Sequence, residues 1–392
     1  MDKIKILVAP NDKWACDKYR CSEPHLKLQE IDSDFEVTIN YDVDWNDFES
    51  LCKYDILQIH SGIYKDTENV INALLHIKGK VYIIDDIDDY WELPKDHEAY
   101  KGLHALNYKQ RVINLLKLAD CVTATTFDLA EHVKEYNTNV YVIPNAVDFS
   151  KSQTYKNKFN RIRFGLVGSR SHYHDYLQLK DVTKSLPKKI LDKCQFILCG
   201  FTRDVASKLK NGKIVSEKYV NPNNIWLQYE KLLTNDYKIL DSQYARMLKT
   251  YEIKPYINKH PYRRMYRKNI SDYLEFYKDV DVLMAPLIKC DFNNCKSNLK
   301  FLEAGQTGTA VIATNTGPFK EGIDLRNNPN GNCLLVEPTK ESWIEAITTF
   351  VEHPELIELS KKNMSSFIKS KYDLKDVTKY RAELYKNLLK WK

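Results

Sequence analysis

Glycine is scarce in this chain, with 12 in 392 residues. No apolar run approaches the length of a membrane span. The opening MDKIKILVAP is too short in its apolar part for a secretory leader and reads as a first strand. No C-x-x-C pair occurs among the nine cysteines, and Cys16/Cys21, Cys194/Cys199 and Cys290/Cys295 stand five apart, which is no standard zinc spacing. The odd count favours reduced core thiols. Internal repeats at a fixed period and long low-complexity tracts are also missing. Nor is there a strong excess of one charge. The net value of +6 suits an anionic substrate but is too small to diagnose nucleic acid. These absences lead us to expect a soluble, cytoplasmic protein.

What is present is apolar residue in quantity, 43% of a chain too long for one ordinary core. Short runs rich in Ile, Leu and Val recur at Lys3–Ala9, Phe35–Ile39, Asp55–His60, Lys80–Ile84, Cys121–Thr125 and Val140–Ile143. Such runs suit strands buried on both faces. Helical stretches at Tyr108–Leu118 and Asp128–Tyr136 alternate with them, while Pro10–Pro24 reads as a polar loop. A doubly wound parallel sheet follows. The polar stretch KSQTYKNKFN at 151–160 reads as a linker. The alternation then restarts with strands at Ile162–Val167, Gln195–Cys199, Val280–Ala285, Val311–Ala313 and Cys333–Val336. Helices are expected at Glu341–His353, Pro354–Ser370 and Leu374–Lys392. The domains expected are 1–150, 151–372 with a basic insertion at 211–269, and a tail helix at 373–392.

The stretch with most chemistry is Asp291–Glu321. Ser297 reads as the N-cap of a helix over Asn298–Ala304, ended by Gly305 and Gly308. Lys296 and Lys300 flank that helix start, where the dipole and the backbone N–H groups of a first turn favour a phosphate, and Asn298 and Leu299 are expected to bind the donor with them. Helical side chains lean toward the N-terminus, so Glu303 can reach back to ribose hydroxyls. An ordinary αβ turn with solvated lysines is the competing reading.

The string KSNLKFLEAGQTGTAVIATNTGPF resembles the donor-binding segment of nucleotide-sugar glycosyltransferases of the retaining group called family 4 (glycosyl transferases group 1), and FN-x-CKS-x-LK-x-LE resembles a bacterial or phage-like branch of it. The family's motif carries two glutamates eight positions apart. Glu303 matches the second, and Cys295 stands where the first belongs, which leaves the sugar's identity open. FGLVGSRSHYHD, DDIDDYW and VIPNAVD are similar to other segments of that branch. The resemblance implies the α/β GT-B fold: two Rossmann-like doubly wound domains facing a central cleft, with a C-terminal helix crossing back to the first. It also implies transfer of a sugar, with retention, from a UDP- or GDP-type donor to an acceptor hydroxyl. The nucleotide sugar is then a co-substrate, and neither a cofactor nor a metal is required.

Within that frame, Gly168, Ser169 and Arg170 at the end of a strand are expected to meet the donor. The basic group on the leaving diphosphate is Arg170, His172 or Lys180. Arg20, beside Tyr19 and Pro24, is a further candidate for the diphosphate, although the glycines usual in that loop are missing. The carboxylates of Asp85–Asp89 invite a metal reading, but their domain is the acceptor side in the resembled fold. Asp86, Asp88 and Asp89 are therefore expected to do catalytic or acceptor work, with a solvated turn as the alternative. His60, Trp91, Arg263 and Arg264 are candidate acceptor contacts, and His97 and His104 weaker ones. Tyr244–Lys268 interleaves basic and tyrosine residues, a pattern that suits a phosphate backbone, an anionic membrane surface or a solvated helix. The acceptor is a glycan, a lipid or DNA. Two other readings stay open: a phage-type enzyme that sugars modified DNA bases, and a non-catalytic sugar-nucleotide binder.

Overall fold

The computed structural model describes residues 3–390 except 12, 14–15, 62–66, 153–154, 211–212, 220–222, 235–260 and 327. The basic, tyrosine-rich stretch therefore lies outside the described residues up to position 260. The chain divides into two compact units. One comprises Met1–Ser152, Lys289–Leu302 and Ile368–Lys392; the other comprises Gln153–Ile288 and Glu303–Phe367.

The first unit is built on six parallel strands: β1 (Ile4–Ala9), β2 (Phe35–Ile39), β3 (Ile56–His60), β4 (Tyr82–Ile87), β5 (Cys121–Ala124) and β6 (Val140–Val142). Their order is β2-β1-β3-β4-β5-β6. Every residue of β3 is buried, as the unbroken run ILQIH requires of a central strand covered on both faces. The order reverses between β1 and β3, and ligands of open α/β sheets bind off the carboxyl ends of strands at such a point. His60 is the last residue of β3.

The second unit repeats the plan with β7 (Ile162–Val167), β8 (Cys194–Phe201), β11 (Tyr262–Tyr266), β12 (Val282–Ala285), β13 (Ala310–Thr314) and β14 (Leu334–Val336), ordered β11-β8-β7-β12-β13-β14. β9 (Asp204–Lys210) and β10 (Lys213–Tyr219) form a separate antiparallel hairpin. Here the reversal falls between β7 and β12, so Gly168 and Pro286 follow the two strands that flank it. The β7 strand accommodates only glycine at 165, where a Cβ would come within 2.6 Å of the Val280 side chain.

Several elements differ from the sequence reading. Asp17–Ser22 is a π-helical turn that runs into a helix over Glu23–Ile31, and Pro24 sits in that helix's first turn, where its missing N–H costs nothing. The tail helix Leu374–Lys390 packs on this helix: Tyr385 donates to Oε1 of Gln58 in β3 (2.5 Å) and bonds Nε2 of His25 (3.1 Å). Residues 289–302 group with the first unit although the sequence assigned them to the second. Hydrogen bonds from Thr126 to the Cys295 carbonyl and from Asn145 to Ser297 hold them there. Gly305 lies inside the helix Leu299–Thr307, and Gly308, at φ +58°, ends it.

The largest correction concerns Arg263 and Arg264. They were expected on an acceptor-facing insertion, but they belong to β11, an edge strand of the second sheet, and are 4% exposed. Arg263 pairs with Asp279 at 3.0 Å. Arg264 forks onto Glu230, Nε to Oε1 at 2.5 Å and Nη2 to Oε2 at 2.7 Å, and lies 4.0 Å over the Phe201 ring. Tyr262 donates a third bond to Glu230. Removing one partner of a buried pair strands the other charge. Arg264→Met should therefore cost about 3–5 kcal/mol in urea unfolding, and adding Glu230→Met should regain most of it.

Candidate functional site

Alternation along β4 sends Asp85 and Asp86 to opposite faces of the first sheet, and each of the four carboxylates from 85 to 89 finds a different environment. Asp86 is fully buried. Its two oxygens accept from Nε and Nη2 of Arg20 at 2.8 and 2.7 Å, and Oδ2 also accepts from Thr123 at 2.5 Å. Burial opposes its charge, yet the Arg20 guanidinium holds its pKa below the ordinary value. Asp85 accepts from Ser61 Oγ at 3.1 Å, and burial raises its pKa well above the ordinary range. Asp88 lies 3.3 Å from Nε2 of His60. Asp89 has a side chain 47% exposed and stands 3.4 Å from the Lys296 ammonium.

Two expectations fail here. Asp86, expected to be catalytic, and Arg20, expected to meet a diphosphate, are locked onto each other with 0% and 1% of their side chains exposed. Trp91, expected to contact the acceptor, is a core residue, 3% exposed and edge-on to Tyr136. Ile87 and Trp91 belong to the same apolar core. His60, Asp88 and Asp89 remain together at the carboxyl end of β3 and β4.

The segment after β12 is ordered by the first unit. Cys295 is buried in that unit's apolar core, and its carbonyl accepts from Thr126 Oγ1 at 2.9 Å. Lys296 lies 4.3 Å over the Phe292 ring, whose edge also meets His97. Ser297 does not cap the helix. Its Oγ accepts from Asn145 Nδ2 at 3.0 Å, while the Oδ1 of that asparagine accepts from Arg20 Nη1 at 3.1 Å. Arg20 thus reaches the helix start through Asn145 rather than directly, a connection sequence spacing does not reveal. The helix opens one residue later, where the Asn298 carbonyl accepts from Phe301 and Leu302 at 2.8 and 3.2 Å. Leu299 and Lys300, both half-buried, form its first turn. One turn further on, Glu303 is 2% exposed and its Oε2 accepts from the Tyr277 hydroxyl at 2.5 Å.

Beyond β7, any side chain at Gly168 would put its Cβ 2.3 Å from the Tyr176 hydroxyl and force that tyrosine to shift. Ser169 Oγ accepts from the Ser171 N–H and opens a short 3₁₀ turn, Arg170–His172. Arg170 is exposed, and its carbonyl accepts from Tyr229 at 2.6 Å. His172 Nδ1 lies 2.8 Å from Asp175 Oδ2, and Asp175 Oδ1 accepts from the Ile288 N–H at 2.9 Å. Asp175 therefore ties the turn after β7 to the strand exit after β12. Sequence reasoning passed over Asp175 and Tyr277. For Asp175 the HYHD string carried a signal, a carboxylate three residues after a histidine.

Burial lowers the pKa of His60, but the Asp88 carboxylate outweighs it, and the imidazole is raised from 6.5 to about 9. A folded-state pKa above the unfolded one gives stability that is complete below pH 6.5 and lost as pH rises through 9. Unfolding free energy should fall across that window by an amount on the order of 3 kcal/mol. In His60→Gln, denaturant titrations over the same pH range should show that slope flattened.

No family model matches the chain, and no curated protein matches it in sequence. Solved structures do match in fold. HepE from Anabaena, in complex with UDP, is 12% identical at a TM-score of 0.58, over 98% of this chain and 100% of that one. Sucrose-phosphate synthase from Thermosynechococcus elongatus is 10% identical at a TM-score of 0.64, over 100% of both chains. An alpha-glucosyltransferase in complex with UDP and a 13-mer DNA containing an HMU base is 13% identical at a TM-score of 0.62, over 97% of this chain and 99% of that one. The two parallel six-stranded sheets are those of the GT-B fold that these proteins share.

Proposed function

We propose that this chain is a glycosyltransferase that moves a sugar from a UDP- or GDP-type nucleotide sugar to an acceptor hydroxyl, with retention. The observation that carries the reading is the match of nearly the whole chain to glycosyltransferase folds, two of them solved with UDP. The helix Leu299–Thr307 supports it locally. Its first turn, flanked by Lys296 and Lys300, suits a diphosphate, and Glu303 suits the ribose. Gly168, Ser169 and Arg170 suit the donor as well, with Arg170 as the cation for the leaving phosphate. Negative charge grows on the departing oxygen as the glycosidic bond breaks, and donors already aimed there lower the barrier without reorganising. His60, Asp88 and Asp89 suit an acceptor hydroxyl. In this reading the ammonium of Lys296, now 3.4 Å from Asp89, exchanges that carboxylate for phosphate when the donor binds.

A second reading has DNA as the acceptor, as in the phage-type alternative. It is favoured by the likeness to the glucosyltransferase solved with a modified-base oligonucleotide. Oligonucleotide binding that weakens steeply with salt would support it. No helix among the described residues is long and apolar enough to cross a membrane.

A thermal-shift panel of nucleotide sugars should pick out the donor, because a ligand selective for the native state raises the melting point. Glu303→Ala should then weaken nucleotide binding roughly tenfold or more by calorimetry, and unchanged affinity would overturn the ribose assignment. Transfer should persist in excess EDTA, and loss of activity restored by Mg²⁺ would show that the reaction needs a metal.

A further inference from the structure

Glu303 sits in a hydrogen-bonded frame whose other members come from three separate stretches of the second unit. Tyr277, in the 3₁₀ stretch Ile270–Asp279 just before β12, donates its hydroxyl to Glu303 Oε2 at 2.5 Å. Its ring is 1% exposed, so it has no room to swing away. The tyrosine's own carbonyl accepts from Lys156 Nζ at 2.7 Å, and the same ammonium donates to Thr309 Oγ1 at 2.6 Å. Thr309 Oγ1 lies 2.9 Å from Thr307 Oγ1, and Thr307 donates to the Glu303 carbonyl at 2.7 Å. Backbone and side chain of the glutamate are thus both tied to one cluster.

Resting on the ribose reading above, we propose that Tyr277 is a positioning residue for nucleotide recognition. Its hydroxyl holds the Glu303 carboxylate in one rotamer. A carboxylate can accept several hydrogen bonds at once, and the tyrosine fixes the direction in which its oxygens point. The 2′- and 3′-hydroxyls of ribose are donors that such a group can take in pairs. An unheld glutamate would lose rotamer freedom on binding. Tyr277 therefore makes the site selective for a nucleotide that has its ribose hydroxyls, without touching the nucleotide itself.

The test pairs Tyr277→Phe with calorimetry on UDP and 2′,3′-dideoxy-UDP, or on the guanosine pair if GDP binds wild type more tightly. Wild type should prefer the hydroxylated nucleotide by roughly tenfold or more. Tyr277→Phe should collapse that preference to about twofold and leave the dideoxy affinity nearly unchanged. If Tyr277→Phe does not fold, Tyr277→Met is read in the same way, since methionine fills irregular space without a hydroxyl. Retention of the full preference in the variant, or an equal loss for both nucleotides, overturns the positioning role and leaves the proposed function standing. If wild type binds neither nucleotide, or does not discriminate between hydroxylated and dideoxy forms, the ribose reading fails and this inference with it.

Discussion

The buried pair between Arg20 and Asp86 is the constraint on which the first unit's arrangement depends. Neither charge has access to water. Each must therefore be met within the protein, and four elements converge to do it. β4 brings the carboxylate, β5 brings the Thr123 hydroxyl, the strand end after β6 brings the Ile143 carbonyl and Asn145, and the turn before the first helix brings the guanidinium. A buried charge pair of this kind is weak evidence for net stability, because desolvation offsets much of the attraction. What it fixes is geometry. Asn145, held on one side by Arg20, holds Ser297 on the other. The start of the helix that carries Lys300 and Glu303 is thereby referred to the centre of a sheet far from it in sequence.

The same logic separates the polar groups into those that build the site and those that face outward. Asp86, Arg20, Arg264 and Glu230 are consumed internally. Asp175 links two strand exits. Asp89 and Arg170 are the more exposed members of their clusters. Asp88 and Asp89 follow β4 and Arg170 follows β7, at the carboxyl ends of parallel strands, where ligand sites of open sheets form.

Much of this architecture was legible in the sequence. β2 and β7 match the runs Phe35–Ile39 and Ile162–Val167 residue for residue, because both are rich in the residue types that favour strands. The helix Tyr108–Leu118 was likewise plain from its period. Pro24 misled because a proline inside a first turn looks the same in sequence as one in a loop. Arg263 and Arg264 misled for a different reason. Alternating arginines and tyrosines read as a wet basic face, and only the fold brings Glu230 and Asp279 to neutralise them. Composition states how many charges there are, but pairing across tens of residues decides which of them meet solvent. The hydroxyl of Tyr277 on Glu303 belongs to the same class, a contact between residues 26 positions apart that no local pattern announces.

Cys295 carries the last consequence. It occupies the place where the resembled motif has its first glutamate, and it is packed among the aliphatic side chains of the first unit's interior. Writing the glutamate back would not repair a truncated motif. It would drive an ionisable group into a greasy compartment and strain the hydrogen bond between Thr126 and the carbonyl of residue 295. A glutamate at 295 would thus demand that the surrounding side chains change with it.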